Sequence, residues 1–218
     1  MVLFLDKVTS TQDAAVEHDL QIGEACVSYN QTQGRGRRGN QWNSSGGIAL
    51  TVVVETITAH MSIALAATLA AQLNNLIPEK KIGIKWPNDL FVRGQKIAGI
   101  LIEQQADRYL VGIGINVLEA PIPSAICLRE CGSDALLPVV VDVAIGSVFD
   151  AAQLNENTAV SEWKKRDILM GTKQTIRSGG TSVEGTVISV DPCNTLILQT
   201  SEALLEFPAA TSTIVTSC

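Results

Sequence analysis

Apolar positions change their period several times along the chain. Ile48 to Glu55 (Ile-Ala-Leu-Thr-Val-Val-Val-Glu) is a β-branched run that predicts a strand, and Glu24 to Gln31 predicts another. Met61 to Ile77 instead sets Leu65, Leu69, Leu73 and Leu76 on one helical face, and Pro78 stops that helix. Upstream, Thr9-Ser10-Thr11-Gln12-Asp13 offers an N-cap with Ser10 and Asp13 at capping-box spacing, so a short helix is expected through Ala14 to Asp19. Ile82 to Trp86, Leu90 to Val92, Lys96 to Gln104 and Tyr109 to Val117 are short strands. The tight turns between them, Pro87-Asn88-Asp89 and Arg93-Gly94-Gln95 among them, predict an antiparallel meander.

Pro138 to Asn155 and Ser161 to Leu169 read as helices, the second charged and carrying Trp163. From about Gly171 the texture turns to short β-branched runs broken by Ser178-Gly179-Gly180, Asp191-Pro192 and Pro208. Strands are expected at Gln174 to Ile176, Gly185 to Val190, Thr195 to Gln199 and Leu204 to Phe207, a small all-β appendage to a larger α+β unit. Gly34 to Gly47 has no apolar period and reads as a long loop, which is uncommon unless functional.

The 218 residues suffice for one substantial domain with a small appendage, and 46% hydrophobic against 17% charged residues excludes a disordered or fibrous chain. A net charge of -6 repels polyanions, so general nucleic-acid binding is not expected and any anion site is built locally. Met61 to Leu73 falls short of the ~20 apolar residues of a spanning helix, and Met1 to Asp6 carries no secretion signal, so a cytoplasmic protein without membrane attachment is expected. Cys26, Cys127, Cys131, Cys193 and Cys218 form no CxxC pair and lie far in sequence from His18 and His60. That argues against a zinc site or disulfide framework and leaves Cys127 and Cys131 as reduced thiols on one helix face.

Three segments carry candidate chemistry. Gly34-Arg35-Gly36-Arg37-Arg38-Gly39 matches G-x-G-x-x-G, but Asn40 to Gly47 is a poor helix, so a dinucleotide site is rejected. Its three guanidiniums on a glycine-rich backbone suit an anion cradle; a solvated basic loop and an Arg-Gly RNA contact are the alternatives. Lys85-Trp86-Pro87-Asn88-Asp89-Leu90 precedes Lys96, which opens an apolar strand and either faces an anion or snorkels to solvent. Gly112-Ile113-Gly114-Ile115-Asn116 puts two glycines on one strand face, leaving room for a flat ligand or for close packing.

These motifs, in this order and spacing, resemble those of biotin protein ligases over roughly residues 2 to 118, and more loosely through Ser161 to Asp167. The resemblance implies a class II aminoacyl-tRNA synthetase-like, biotin/lipoate ligase catalytic domain over residues 1–170, mixed and mainly antiparallel. A small SH3-like β-barrel over residues 171–218 would follow, assisting the reaction without supplying the biotin pocket. The implied reaction consumes ATP and biotin with Mg2+, forms biotinyl-5'-AMP, and passes biotin to a lysine on the biotin carboxyl carrier domain of acetyl-CoA carboxylase or a related carboxylase. A lipoate ligase or lipoyl/octanoyl transferase is the alternative. Where the family usually has Ser-Thr-Asn this chain has Ser10-Thr11-Gln12, and it opens at the first strand without a helix-turn-helix extension, so a monofunctional ligase without DNA binding is expected. Monomer and homodimer both stay open.

By the same resemblance Lys96, Arg35, Arg37 and Asp89 are the catalytic set. Lys96 meets the biotin carboxylate and the α-phosphate, the arginines hold the loop over the adenylate, and Asp89 orients Lys96 or takes a proton. Ser10, Thr11 and Gln31 correspond to the ureido-ring positions, with Gly36, Gly99, Leu101 and Gly114 along the rest of biotin; Gln12 also falls among the biotin-binding positions, its role there unassigned. Trp42 would stack on adenine and Asn116 hydrogen-bond it, with Asn88 also on the ATP side. Metal ligands are not assigned.

Overall fold

The structure is a computed structural model that describes residues 1–78 and 81–215, with backbone alone at Arg38, so Cys218 lies outside the described residues. The first half runs β1 (Val2–Leu5), α1 (Thr11–Glu17), β2 (Ala25–Ser28), β3 (Gly34–Arg35), β4 (Gln41–Trp42), β5 (Gly47–Val54) and α2 (Met61–Asn74). The meander follows as β6 (Gly83–Lys85), β7 (Asp89–Val92), β8 (Gln95–Gln105) and β9 (Arg108–Asn116). Then come α3 (Leu137–Ala152), α4 (Glu156–Lys164), and β10 (Lys173–Ser178), β11 (Thr181–Val190), β12 (Thr195–Gln199), β13 (Leu204–Pro208) and β14 (Ser212–Val215).

Seven strands form one sheet in the order β1-β2-β5-β9-β8-β7-β6, antiparallel throughout except for the β1/β2 pair. The mixed, mainly antiparallel α+β architecture is the one expected. Arg93 and Gly94, both at positive φ, make the two-residue turn of the β7/β8 hairpin, whose twist such a turn matches. Alternation along the strands sorts the two faces. Ile48, Leu50 and Val52 pack with Leu65, Leu69 and Leu73 of α2, while Val53 packs with Cys26, Leu110 and α1 on the other side. Alanines surround the leucines of α2, so it is apolar on nearly every side and is buried between the sheet and α3 and α4. Trp163 of α4 is fully buried in that layer.

Several boundaries differ from expectation. The second of the late helices starts at Glu156, not Ser161, because Asn155 is its N-cap and its side chain accepts from Thr158 N at 3.0 Å. It ends at Lys164, and Asp167 instead bridges to Ile84. Cys127 and Cys131 do not share a helix: only Arg129–Cys131 forms a single 3-10 turn, with Cys127 before it. The arginine segment is not a plain loop, since β3 and β4 pair across a 3-10 turn at Arg37–Gly39. Gly34 is required there, because a Cβ would stand 2.0 Å from Gln31 Nε2 and 2.3 Å from the Trp42 carbonyl oxygen.

The tail folds into its own antiparallel sheet, order β13-β12-β11-β10-β14, with β14 an additional strand that the sequence reading left out. Ile176, Val187, Leu196 and Leu198 belong to the same apolar cluster as Leu65 and Leu169. The two sheets therefore share a core.

Candidate active site

Strand register builds the floor of the site. Ala49, Gly114, Gly99, Asp89 and Lys85 lie abreast on β5, β9, β8, β7 and β6. The next row along is Thr51, Gly112 and Leu101. This is the sheet face opposite α2, and above it opens a cavity of about 550 Å³. Thr11, Gln12, Gln31, Arg35, Gly36, Arg37, Trp42, Asn88, Asp89, Lys96, Gly99, Leu101, Gly114 and Asn116 all line it. Of the expected site residues only Ser10 does not. Its hydroxyl caps α1 by accepting from Gln12 N at 3.2 Å, so the capping serves Gln12 and not Asp13, and Ser10 is withdrawn from the cavity.

One end of the cavity is a neutral hydrogen-bonding cluster. Gln31 Oε1 accepts from Thr11 N at 2.8 Å and from Thr11 Oγ1 at 3.3 Å, while Thr51 donates to Thr11 Oγ1 at 2.9 Å. Gln31 is fixed from behind by its backbone N–H, which donates to Ser44 Oγ at 2.7 Å. Gln12 donates from Nε2 to the carbonyls of Leu101 and Leu110, at 3.3 and 3.4 Å. Its amide thus ties α1 to β8 and β9.

The other end is cationic. Lys96 Nζ lies 2.7 Å from Asp89 Oδ1 and 5.4 Å from the centre of the Trp42 ring. Arg37 donates to Asn88 Oδ1 at 3.5 Å and to the Ala209 carbonyl at 2.5 Å, while Asn88, only 6% exposed, donates to the Ile100 carbonyl. Arg35 is engaged differently: both of its terminal nitrogens hold Asp13, at 2.7 and 2.8 Å, and one also meets Glu103 at 3.1 Å. Those hydrogen bonds raise its already high pKa, and they pin the β3/β4 hairpin to α1 and β8.

Two expected ligand contacts are occupied by the protein itself. The Trp42 indole lies on Gly114, where a Cβ would stand 2.2 Å from its ring, so the space left by the glycine is filled by tryptophan. Asn116 spends its Nδ2 on the carbonyls of Lys96 and Ile126, each at 3.2 Å, leaving its carbonyl oxygen for a ligand.

The sequence reading gave no role to Lys85, Phe91, Ile100, Ile122, Ser124, or the tail residues Ser212, Thr213 and Ile214, all of which line the cavity. The tail therefore borders the site directly. A signal for Ser212 was present: in Ser-Thr-Ile-Val it shares the inward face with Ile214, a place usually apolar. Among the described residues no group of three His, Cys, Asp or Glu side chains is disposed to hold a metal, and Asp89 is the one carboxylate among the lining residues. No helix among the described residues is long and apolar enough to cross a membrane.

The cavity thus has a floor of glycines between an amide cluster and a group of lysines and arginines, a layout with room for a flat ligand that carries an anionic end. Residues 4–118 match the Biotin/lipoate A/B protein ligase family, and the chain belongs to it. Within that family it is 26% identical over 222 residues to the bifunctional ligase/repressor BirA of Escherichia coli, a match covering 91% of this chain and 69% of the relative. It is 29% identical over 214 residues to the biotin--[acetyl-CoA-carboxylase] ligase of Paracoccus denitrificans, covering 84% and 87% of the two. The fold is that of the biotin protein ligase from Aquifex aeolicus solved in complex with biotin and ATP, with TM-score 0.86, 24% identity and 99% coverage of both chains.

Proposed function

We propose that the chain is an ATP-dependent biotin protein ligase, which activates biotin as biotinyl-5'-AMP and transfers it to a lysine of a carboxylase biotin carrier domain. The observation that carries this reading is one cavity with a neutral amide end and a cationic end, separated by a glycine floor. A ureido ring, donor and acceptor at once, suits Thr11 and Gln31, and the bicycle and its tail suit the surface over Gly99, Leu101 and Gly112. The carboxylate then arrives near Lys96 and Arg37. Lipoate shares the carboxylate but has no ureido group to use the amide end. The names of the relatives point the same way.

Joining a carboxylate to the α-phosphate brings like charges together, and Lys96 and Arg37 offset that repulsion where the bond forms. Asp89, paired with Lys96, holds its ammonium over the row and is in place to accept a proton from the incoming lysine. Mg2+ brought by the nucleotide would be held largely by phosphates and water, and Asp89, the one carboxylate lining the cavity, would be the side chain to hold it and would share that charge with Lys96. Residues 1–170 would be the catalytic domain and 171–218 the C-terminal barrel, which faces the carrier. The reaction needs no membrane or nucleic acid and suits the cytoplasm.

ATP-pyrophosphate exchange with biotin, with lipoate and with no acid tests the reading: exchange is expected with biotin alone. Lys96→Ala is expected to slow adenylate formation by ~10²- to 10³-fold, as for loss of one well-placed charge contact. Exchange with lipoate alone would make the chain a lipoate ligase.

A further inference from the structure

Lys96 reaches the cavity because β8 carries one extra residue. Asp89 and Leu90 of β7 pair with Gly99 and Ala98, but Phe91 and Val92 pair with Lys96 and Gln95, so the register skips Ile97. This is a β-bulge. Side chains alternate along a regular strand, and Ala98 and Ile100 face the α2 layer, so without the bulge Lys96 would face that layer too. With it, Ile97 and Ala98 both lie in the core beside Leu65, and Lys96 turns to the other face. There a Cβ on Gly99 would meet Lys96 Nζ at 3.1 Å and Asp89 Oδ1 at 3.3 Å. The direction of the ammonium is therefore set by the backbone at the bulge.

That backbone lies past the end of its neighbour on one side. β9 pairs with β8 only from Ala98 onward, and the chain at 123–126 takes the place of β9 along Lys96, bridging in parallel at Lys96 and Ala125. The Lys96 N–H donates to the Ser124 carbonyl at 3.2 Å, and the Ile126 N–H donates to the Lys96 carbonyl at 3.0 Å. Asn116 ties the far end, through the carbonyls of Lys96 and Ile126. Gln95 ties the near end. Its Nε2 donates to the carbonyls of Pro123 at 2.9 Å and Ala125 at 3.1 Å, which flank Ser124. A primary amide carries two N–H donors, so one side chain serves both carbonyls. Gln95 itself is not among the residues lining the cavity, whereas Ser124, Ala125 and Lys96 are.

We infer that Gln95 is a positioning residue for Lys96: its amide clamps the 123–125 strap beside the bulge and so holds the ammonium over Gly99 and Asp89. This rests on the ligase reading above, in which Lys96 meets the biotin carboxylate and the α-phosphate. Loosening the strap leaves every charge in the cavity but lets the bulge relax, and small displacements of a group at the reacting centre lower the rate of the chemical step. Substrate binding through the amide cluster and the other cations is left in place.

The test compares Gln95→Ala, Gln95→Glu and Gln95→Arg with the unaltered chain, each checked for folding by circular dichroism. Glutamate keeps the shape and removes the donors, while arginine keeps donors for the two carbonyls. In single-turnover formation of biotinyl-5'-AMP, the alanine and glutamate variants are expected to lower the maximal rate about ten- to hundredfold, with the half-saturating concentrations of biotin and ATP changing by a smaller factor and arginine restoring part of the rate. Combined with Lys96→Ala, Gln95→Ala should cost little more than Lys96→Ala alone, because the group it positions is gone. An unchanged maximal rate in the single variants, or the full factor appearing again in the Lys96→Ala background, would overturn the assignment and leave Gln95 as a tie of the strap alone. Absence of biotin-dependent exchange in the unaltered chain would instead overturn the ligase reading.

Discussion

Arg37 donates to the carbonyl of Ala209 across 172 positions of sequence, joining the arginine hairpin to the second sheet inside the site. The same guanidinium reaches Asn88, so one planar fork spans three parts of the fold. Arg37→Lys keeps the charge but replaces the fork with a point donor. Single-turnover adenylate formation is expected to slow by about tenfold or more, as for loss of a charged hydrogen bond, while biotin affinity changes less. An unaltered rate would show that the charge alone suffices.

Gly114→Ala places a methyl group within 2.2 Å of the Trp42 ring, and the ring must leave the strand. Tryptophan emission is expected to shift to the red as Trp42 moves to solvent, with a loss of activity. Emission and activity both unchanged would mean that the indole does not rest on Gly114 in solution.

Arg35 pins the hairpin through Asp13 and Glu103, all three about two-fifths exposed. Exposed pairs contribute at most about 1 kcal/mol each, so Asp13→Asn with Glu103→Gln should barely change the melting temperature. What should change is local: cleavage by trypsin within residues 34–47 is expected to speed up, and salt should have a similar effect on the unaltered chain.

Burial raises the Cys26 thiol from 9.0 to about 11. The folded form therefore keeps its proton where the unfolded form loses it, and stability falls as pH rises from 9 to about 11. Denaturant unfolding across that range is expected to show a shallower decline in Cys26→Ala, whose lower starting stability is a separate effect of the lost side chain. Parallel slopes would assign the alkaline loss to other groups.

The period of apolar residues was enough to read β5, α2 and the meander, because each is long or sharply bounded by turns. Thr11, Gln31, Arg37, Asp89, Lys96 and Gly114 came instead from the resemblance to biotin protein ligases, whose motifs are local, and all six line one cavity. What local patterns do not carry is register. That Lys85 stands beside Asp89, and Asp89 beside Gly99, depends on the pairing of three strands. Nor does local pattern separate a hydroxyl that caps a helix from one beside a cavity, which is why Ser10 was expected in the site and is not there, while Ser212, given no role, is among the lining residues.

The core shared by the two sheets has a consequence for timing. Leu65 and Leu169 belong to one apolar cluster with Ile176 and Leu198, so rotating the tail away from the catalytic sheet would break that cluster open. Slow hinge motion of a whole domain is therefore a poor route for substrates. The β3/β4 ladder, by contrast, is two residues long on each strand and held at its rim by exposed ion pairs. Loop motions of that size run on nanosecond to microsecond scales. Opening at the hairpin needs only those rim contacts to part, and leaves the core beneath both sheets intact.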